Sequence, residues 1–353
     1  MFNLSKETEA LLEDIERRID PEVEDDFVKQ WEGFLFGGFE GEYFSPMRKK
    51  TSLPSVNCKK VNINDAIGDL DLMLRKEMLT VSHALKNGKR NLAIRANYGT
   101  SIIPSFFGVE IFMMPYETDT LPTNKPSMSD DWMRAMVEKG IPDVTVGYGA
   151  KAFEFGQMCQ EVFEKYPKIK KYVTVYHPDA QGPLDICELL WGSDLFYAIY
   201  DEPELLHDSL SLISDTYIKF LSKWYELYPK NDRMNPHWAN FYHRGAIVLR
   251  SDSAMNLSPD QHREFALPYD SKILKHFGSG MIHFCGRGDH YVEAICALPE
   301  LTAINLSQPE YNNMEKIFRN TVDNGKQILG LREDAVMAGL NRNGGLRGMV
   351  SIK

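Results

Sequence analysis

Two hydrophobic patterns divide the chain near residue 90. Apolar residues recur at helical spacing among acidic ones over residues 5–19, and the same spacing returns over residues 64–85, so both stretches are predicted to be amphipathic helices. Residues 34–44 between them are rich in glycine and aromatic residues and are predicted to form a loop or a packed cover. We therefore expect residues 1–90 to form an N-terminal helical segment that packs on the remainder of the chain, residues 91–353.

From residue 91 onward the pattern changes to short aliphatic and β-branched runs. Each run ends in polar residues or glycine and is followed by a helical stretch, which predicts βαβ units and a parallel sheet. Seven runs, with an eighth at the C-terminus, favour a closed (β/α)8 TIM barrel in the α/β class over an open sheet. The predicted strands are Asn91–Ala96, Val109–Met113, Tyr172–Tyr176, Ala246–Arg250, Gly280–Phe284, Thr302–Leu306, Gln327–Leu331 and, as the eighth, Gly348–Ile352.

Composition and charge narrow the class of protein. Of the 353 residues 43% are hydrophobic, which is enough apolar material for one large core. A net charge of −10 argues against a nucleic-acid partner, because phosphates need clustered Lys and Arg. The five cysteines are odd in number and dispersed, so no disulfide framework is expected. No apolar run approaches the about 18 residues that span a bilayer, and the acidic N-terminus does not resemble a signal peptide, so we expect a cytoplasmic protein without a membrane partner.

The run Gly280–Phe284 leads into a His-x-Cys pair. Successive side chains of a strand point to opposite faces, so His283 and Cys285 are predicted to point the same way. Imidazole and thiolate are ligands that zinc prefers, and the pair is therefore a candidate zinc site. The alternative is a buried histidine and a buried free cysteine that only pack.

Polar residues follow several of the predicted strands, where the carboxyl ends of barrel strands share one mouth. We expect Asp252 and Glu310 to be catalytic, by orienting or deprotonating a substrate. The residues expected to bind substrate are Tyr98, His177, Gln181 and Asn305. Each of three residues also has a structural alternative. Asp252 could cap a turn, and His177, which precedes a proline, could only shape its loop. Glu310 could be an acidic residue at the start of a helix.

An aromatic segment, Trp238–Tyr242, lies between His237 and His243. This segment is predicted to be a loop that lines a pocket for a flat ligand. Surface packing is the alternative. The other histidines fall in helical stretches, where a packed or solvated imidazole is the more common case: His83, His207, His262 and His276.

Four segments, in order, resemble the uroporphyrinogen decarboxylase superfamily over roughly residues 90–335. This superfamily includes methyltransferases that act on methylated corrinoid proteins, and its fold is a (β/α)8 barrel, which agrees with the strand count. The segments that carry the resemblance are Ile103–Ile111, Gln181–Asp185, Ser258-Pro259 with Glu264–Tyr269, and His283–Gly286.

The resemblance to the decarboxylase itself breaks at its substrate-binding residues. Residues 1–90 lack the arginine-rich Arg-Gln-Ala-Gly-Arg segment that binds the carboxylates of the substrate. The position of its pyrrole-binding aspartate is Gly99 here, and the position of its tyrosine is Leu189. A tetrapyrrole with many carboxylates needs such partners.

The methyltransferase branch resembles the chain more closely at the His-x-Cys pair. In that branch the pair, with a later cysteine, binds zinc, and zinc activates a thiol to accept a methyl group from methylcobalamin. His283 and Cys285 match, but no cysteine follows Cys296. The third ligand therefore remains open, with four candidates that could substitute for the missing cysteine: Glu310, Asp289, His290 and Glu333.

The resemblance implies a zinc-dependent methyltransferase that moves a methyl group between a corrinoid protein and a small acceptor such as a thiol. The partner protein would carry the corrinoid (cobalamin). Two alternatives stay open: a uroporphyrinogen decarboxylase-like enzyme of porphyrin biosynthesis that acts on a tetrapyrrole, and a non-catalytic protein that binds a corrinoid or a tetrapyrrole.

Overall fold

The N-terminal part of the chain is mainly helical, as the periodicity predicts. The computed structural model of the protein describes residues 2–127 and 129–353. The predicted helix over 64–85 is divided in two, because the side chain of Asp69 accepts a hydrogen bond from the Leu72 N–H and begins a new helix. The helices are α1 Lys6–Arg18, α2 Pro21–Phe36, α3 Ile63–Gly68 and α4 Leu70–Asn87.

Six strands form a parallel sheet in the order β1-β12-β11-β10-β9-β8. The structure confirms the coarse prediction of an α/β fold with a mostly parallel sheet. The strands in the described part of the chain are β1 Tyr43–Phe44, β2 Ala93–Ile94, β3 Ile111–Phe112, β4 Thr123–Asn124, β5 Thr174–Val175, β6 Met234–His237, β7 Phe241–Arg244, β8 Ile247–Arg250, β9 Gly280–Phe284, β10 Leu301–Leu306, β11 Gln327–Leu331 and β12 Val350–Ile352.

The edge strand β1 lies in residues that were predicted to form a loop or cover. Tyr43 and Phe44 pair in parallel with Val350 and Ser351 of β12. The prediction of a loop was wrong at these two residues, because a strand of two residues is too short to produce an alternating pattern. Residues before position 90 therefore contribute a strand to the main sheet as well as helices.

Two antiparallel hairpins lie outside the parallel sheet. The predicted strand Val109–Met113 was wrong as a member of that sheet, because β3 pairs antiparallel with β4 and Phe112 is exposed. The second hairpin consists of β6 and β7, and the predicted aromatic loop Trp238–Tyr242 supplies its turn and the first two residues of β7. Most of its side chains are buried, but the sequence of β6 contains Asn235 and Pro236 and so lacks the apolar pattern of a strand.

Strands β2 and β5 form a separate parallel pair, so strand pairing alone does not close a barrel in residues 2–127 and 129–353. Side chains connect this pair to β8. The His177 imidazole, which follows β5, accepts a hydrogen bond from the Val248 N–H at 3.3 Å. Asp179 lies between two arginines, at 2.7 Å from Arg95 Nη1 after β2 and at 2.5 Å from Arg250 Nη2 at the end of β8.

The charges of this group are buried together. The side chains of Asp179, Arg95 and Arg250 are each no more than 12% exposed. Burial alone would raise the pKa of Asp179, but Arg250 and Arg95 hold it below its usual value. A buried carboxylate with two cationic partners therefore joins the strand ends of the small pair to the main sheet.

Helices and aromatic side chains cover the sheet. Val248, Met281, Ala303 and Leu329, on neighbouring strands, pack in one cluster with Trp31 of α2 and aromatic residues of the β6–β7 hairpin. Within the described residues, no helix has the length and apolar character needed to cross a bilayer. The remaining helices are α5 Asp130–Lys139, α6 Gly147–Phe163, α7 Pro167–Tyr172, α8 Pro183–Trp191, α9 Asp194–Asp201, α10 Pro203–Leu227, α11 Pro259–Phe265, α12 Leu267–Phe277, α13 Val292–Cys296, α14 Met314–Asn320 and α15 Glu333–Gly339.

Replacing Asp179 by Asn tests the contribution of the buried group. Asp179→Asn removes the negative charge and leaves two buried arginines without it, so we expect the free energy of unfolding to fall by about 3–5 kcal/mol. Urea unfolding measures this difference. The control is Asp232→Asn, whose ion pair with Lys230 is exposed and should contribute less than about 1 kcal/mol. Equal losses in both variants would contradict the assigned role.

Candidate functional site

Three adjacent strands place their side chains in matched rows. Parallel pairing aligns Val248 and Ala303 with Met281, and two residues further along it aligns Arg250 and Asn305 with His283. Because side chains alternate along a strand, the next row at the carboxyl ends is formed by the following residues on the same face. These are Asp252, Cys285 and Ser307.

Asp252, His283 and Cys285 meet at this edge of the sheet. One ligand atom from each lies within 4.8 Å of the other two. His283 Nε2 is 3.4 Å from Cys285 Sγ and 3.6 Å from Asp252 Oδ1, and the Cys285 N–H donates to Asp252 Oδ1 at 2.6 Å. In the described part of the chain, no other group of three or more His, Cys, Asp or Glu residues meets in this way.

Asn305 fixes the orientation of the His283 ring. His283 Nδ1 is 2.5 Å from Asn305 Oδ1, and the Asn305 amide donates to the Leu329 carbonyl at 2.5 Å. The carbonyl oxygen of Asn305 can only accept, so this network assigns the proton to Nδ1 and leaves the Nε2 lone pair facing Cys285 and Asp252. Burial lowers the pKa of His283, opposed in part by Asp252, and the imidazole is therefore neutral at neutral pH.

The Cys285 thiol is partly buried. Burial raises its pKa, and a hydrogen bond with the Ser307 hydroxyl at 3.5 Å opposes this effect. In the absence of a cation the sulfur is therefore protonated at neutral pH. A bound metal ion would favour the thiolate.

Asp185 holds the backbone around Asp252. Its carboxylate accepts hydrogen bonds from the Asp252 N–H at 3.1 Å and from the Ser253 N–H at 2.7 Å. Burial, followed by the charge of Asp252, raises the pKa of Asp185 to about 7. α8 begins so close to β8 that a Cβ at Gly182 would lie 2.0 Å from the Arg250 carbonyl oxygen, so a glycine is needed for this approach.

Two cavities each border one member of the ligand group. The smaller, of about 230 Å³, is lined by Trp238, His283 and Asn305 among others. The larger, of about 500 Å³, is lined by Asp252 together with residues of α8, the segment before it and others. Small molecules in these cavities would therefore contact His283 in one and Asp252 in the other.

Trp238 forms a wall of the smaller cavity. Its ring is 4.8 Å from the His283 ring and 4.4 Å from the Arg250 guanidinium. It lies in the turn of the β6–β7 hairpin, where Trp238 has a φ of +49° and Ala239 a φ of +56°. Such angles are strained for side chains of this kind, and strained residues that persist are often found at functional sites.

The predicted site residues are distributed unevenly. The structure brings together Asp252, His283, Cys285 and Asn305, and Gln181 lines the larger cavity next to Asp252. Glu310 lies outside this group and pairs with Arg332 at 2.9 Å, and Arg332 lines the smaller cavity.

Tyr98 and His177 line neither of the two cavities. Tyr98 is buried in the hydrophobic core, where its ring is 5.6 Å from that of Tyr148, and it lines neither cavity. His177 Nδ1 is 2.8 Å from the Pro178 carbonyl and its Nε2 accepts from Val248, so both ring nitrogens contact backbone. Tyr98 therefore packs in the core, and His177 bridges the end of β5 and β8.

Asp252 is the third member of the group that could hold a metal ion. Asp289 accepts hydrogen bonds from the Asn313 N–H and from Arg287. None of the four residues that the sequence offers as a third ligand belongs to the group: Glu310, Asp289, His290 and Glu333. The sequence predicts a catalytic role for Asp252 and does not predict that it lies with His283 and Cys285 as a possible ligand. It also does not predict that Asp185 and Trp238 are neighbours of this group, although both residues lie in segments singled out by the sequence, Gln181–Asp185 and Trp238–Tyr242.

No protein-family model and no curated protein matches the sequence. Among solved structures, the chain is similar to a methyltransferase from Methanosarcina mazei, with a TM-score of 0.58 and 14% sequence identity. The similarity covers 92% of this chain and 91% of that chain. The two proteins therefore share a fold over nearly their full lengths.

Proposed function

We propose that the protein is a zinc-dependent methyltransferase that moves a methyl group between a corrinoid (cobalamin) protein and a small acceptor such as a thiol. The observation that carries this proposal is the meeting of Asp252, His283 and Cys285, of which His283 lines one cavity and Asp252 another. Two further observations support the same function. The chain shares its fold with a methyltransferase, and its sequence segments resemble the methyltransferase branch.

A (β/α)8 barrel of the uroporphyrinogen decarboxylase superfamily is part of the proposal. Its support comes from the sequence segments and from the contacts that join the small parallel pair to β8, above all those of Asp179 with Arg95 and Arg250. Functional groups at the carboxyl ends of strands are typical of such barrels.

The donor set fits zinc. Nitrogen, sulfur and carboxylate oxygen are all zinc ligands, and catalytic zinc sites commonly use three protein ligands and keep one position for substrate. The hydrogen bond from His283 Nδ1 to Asn305 is the outer contact that metal-bound histidines usually make. Ser307 would support the Cys285 thiolate.

Bound zinc would lower the pKa of a substrate thiol, which then reacts as a thiolate at neutral pH. Zinc held by Asp252, His283 and Cys285 would activate the acceptor sulfur, and the corrinoid protein would supply the methyl group to it. Asp185 keeps Asp252 in place through its two backbone hydrogen bonds, and Trp238 forms a wall of the smaller cavity beside His283. The residues thus orient the acceptor.

The side chains that line the larger cavity support a decarboxylase less well than a methyltransferase. Asp185, Glu188 and Asp252 line it, and no Lys, Arg or His residue of the described chain does so. A tetrapyrrole with several carboxylates would meet like charges there. A protein that only binds a corrinoid or a tetrapyrrole would have no use for three converging metal ligands.

Metal content tests the ligand assignment. Purified without added metal, the wild-type protein should contain about one zinc per chain, and His283→Ala and Cys285→Ser should each lose most of it, because they remove a ligand atom. The measurement is elemental analysis. Cys296→Ser is the matched control, since Cys296 is also a partly buried free cysteine but lies outside the ligand group. Negligible zinc in every protein would exclude the proposed centre.

Asn305 tests the orientation of the ring. Asn305→Ala removes the acceptor for His283 Nδ1 and should weaken zinc affinity by about 10- to 100-fold. Asn305→Asp keeps an acceptor and should retain more of the affinity. Competition with a chromophoric chelator measures both values. Equal affinities in the wild type and in Asn305→Ala would show that this hydrogen bond does not serve the metal site.

Product analysis tests the reaction itself. With methylcobalamin and 2-mercaptoethanol, the zinc-loaded protein should form the methyl thioether, and the cobalamin spectrum should change in parallel. Removal of zinc should abolish the reaction. Adding zinc back should restore methyl transfer in the wild type but not in Cys285→Ser. Conversion of uroporphyrinogen without any methyl transfer would favour the decarboxylase instead.

A further inference from the structure

The larger cavity beside Asp252 is lined by acidic side chains. Its volume is about 500 Å³, and its acidic lining residues in the described chain are Asp185, Glu188 and Asp252. Asp185 and Glu188 are three residues apart on α8 and so lie on the same side of the helix. A cluster of acids can exist without a ligand, so the cavity has to be judged by its other side chains.

Gln181 provides an independent sign of a ligand. It is 5% exposed and lines this cavity, and its amide forms no hydrogen bond with any residue that the structure describes. The amide nitrogen and oxygen are not fully shielded from solvent, so the amide opens onto the cavity and not into the protein interior. Its donor and acceptor atoms are therefore available to a bound molecule.

Glu188 carries a charge that the described residues do not balance. It is half-buried, and its carboxylate has neither an ion pair nor a hydrogen bond within residues 2–127 and 129–353. The hydroxyls of Thr100, Thr123 and Ser193 line the same cavity and are likewise free of hydrogen bonds to described side chains or backbone. One wall thus offers an unpaired carboxylate, an amide and several hydroxyl groups.

We infer that the small molecule that exchanges the methyl group carries a positively charged nitrogen, such as an ammonium or a methylated ammonium, and that this cavity binds it. The inference rests on the proposed function, since Asp252 is shared by the cavity and by the ligand group. Glu188 balances the charge, and Gln181 and the hydroxyls complete the hydrogen bonds. An acceptor that ends in a sulfonate or carboxylate would meet Glu188 with no cationic residue to offset the repulsion.

Binding of three probes of similar size tests the charge preference without methyl transfer. n-Propylammonium should bind at least tenfold more tightly than 1-propanol, and propionate should bind least, as measured by calorimetry. Glu188→Gln should reduce the preference for n-propylammonium over 1-propanol several-fold. The control Glu293→Gln, at an exposed residue of α13, should leave the preference unchanged. Equal binding of the three probes, or a Glu188→Gln protein that behaves like the wild type, would overturn the inference.

A matched series of thiols links the cavity to the reaction. As methyl acceptors, 2-aminoethanethiol should have the highest kcat/KM, followed by 2-mercaptoethanol and then 2-mercaptoethanesulfonate. A protein that binds zinc and transfers methyl groups without this order would refute the cationic substrate and leave the proposed function intact. A protein that prefers n-propylammonium but lacks zinc and methyl transfer would retain the cation site and refute the proposed function.

Discussion

The arrangement of the site depends on the ion pairs that Asp179 forms with two arginines. Arg95 and Asp179 follow the strands of the small parallel pair, whereas Arg250 ends β8 and lies in the same row as His283. Removing such charges from water is costly unless they are paired, so the three side chains constrain one another strongly. Arg250 also lies against the Trp238 ring, which connects this constraint to the wall of the smaller cavity.

Regular strand alternation explains why the His283 and Cys285 side chains converge. His283 and Cys285 were predicted to share a face from their spacing alone, and the bounds of β9 and β11 agree with the hydrophobic runs that predicted them. These strands are buried on both sides, so their apolar sequences are continuous and easily recognised. The pairing register then adds Asn305 to the same row as His283, which follows from the geometry of parallel strands.

Other parts of the structure depend on contacts between distant residues and could not be read from local patterns. β1 consists of two residues and exists because β12, about three hundred residues later, offers a free edge. The aliphatic run Val109–Met113 has the composition of a buried strand but forms an exposed hairpin, since composition does not specify a pairing partner. Asp252 and Asp185 become neighbours only through the close packing of α8 on β8 at Gly182.

The packing of α2 against the β6–β7 hairpin gives the N-terminal helices a part in the site. Trp31 of α2 contacts the Tyr242 ring, and the same hairpin carries the left-handed turn at Trp238. An unusual backbone conformation persists only where its surroundings hold it. The first ninety residues therefore stabilise the wall of the smaller cavity beside His283. A shortened chain that began at residue 91 would lose these contacts and the edge strand β1.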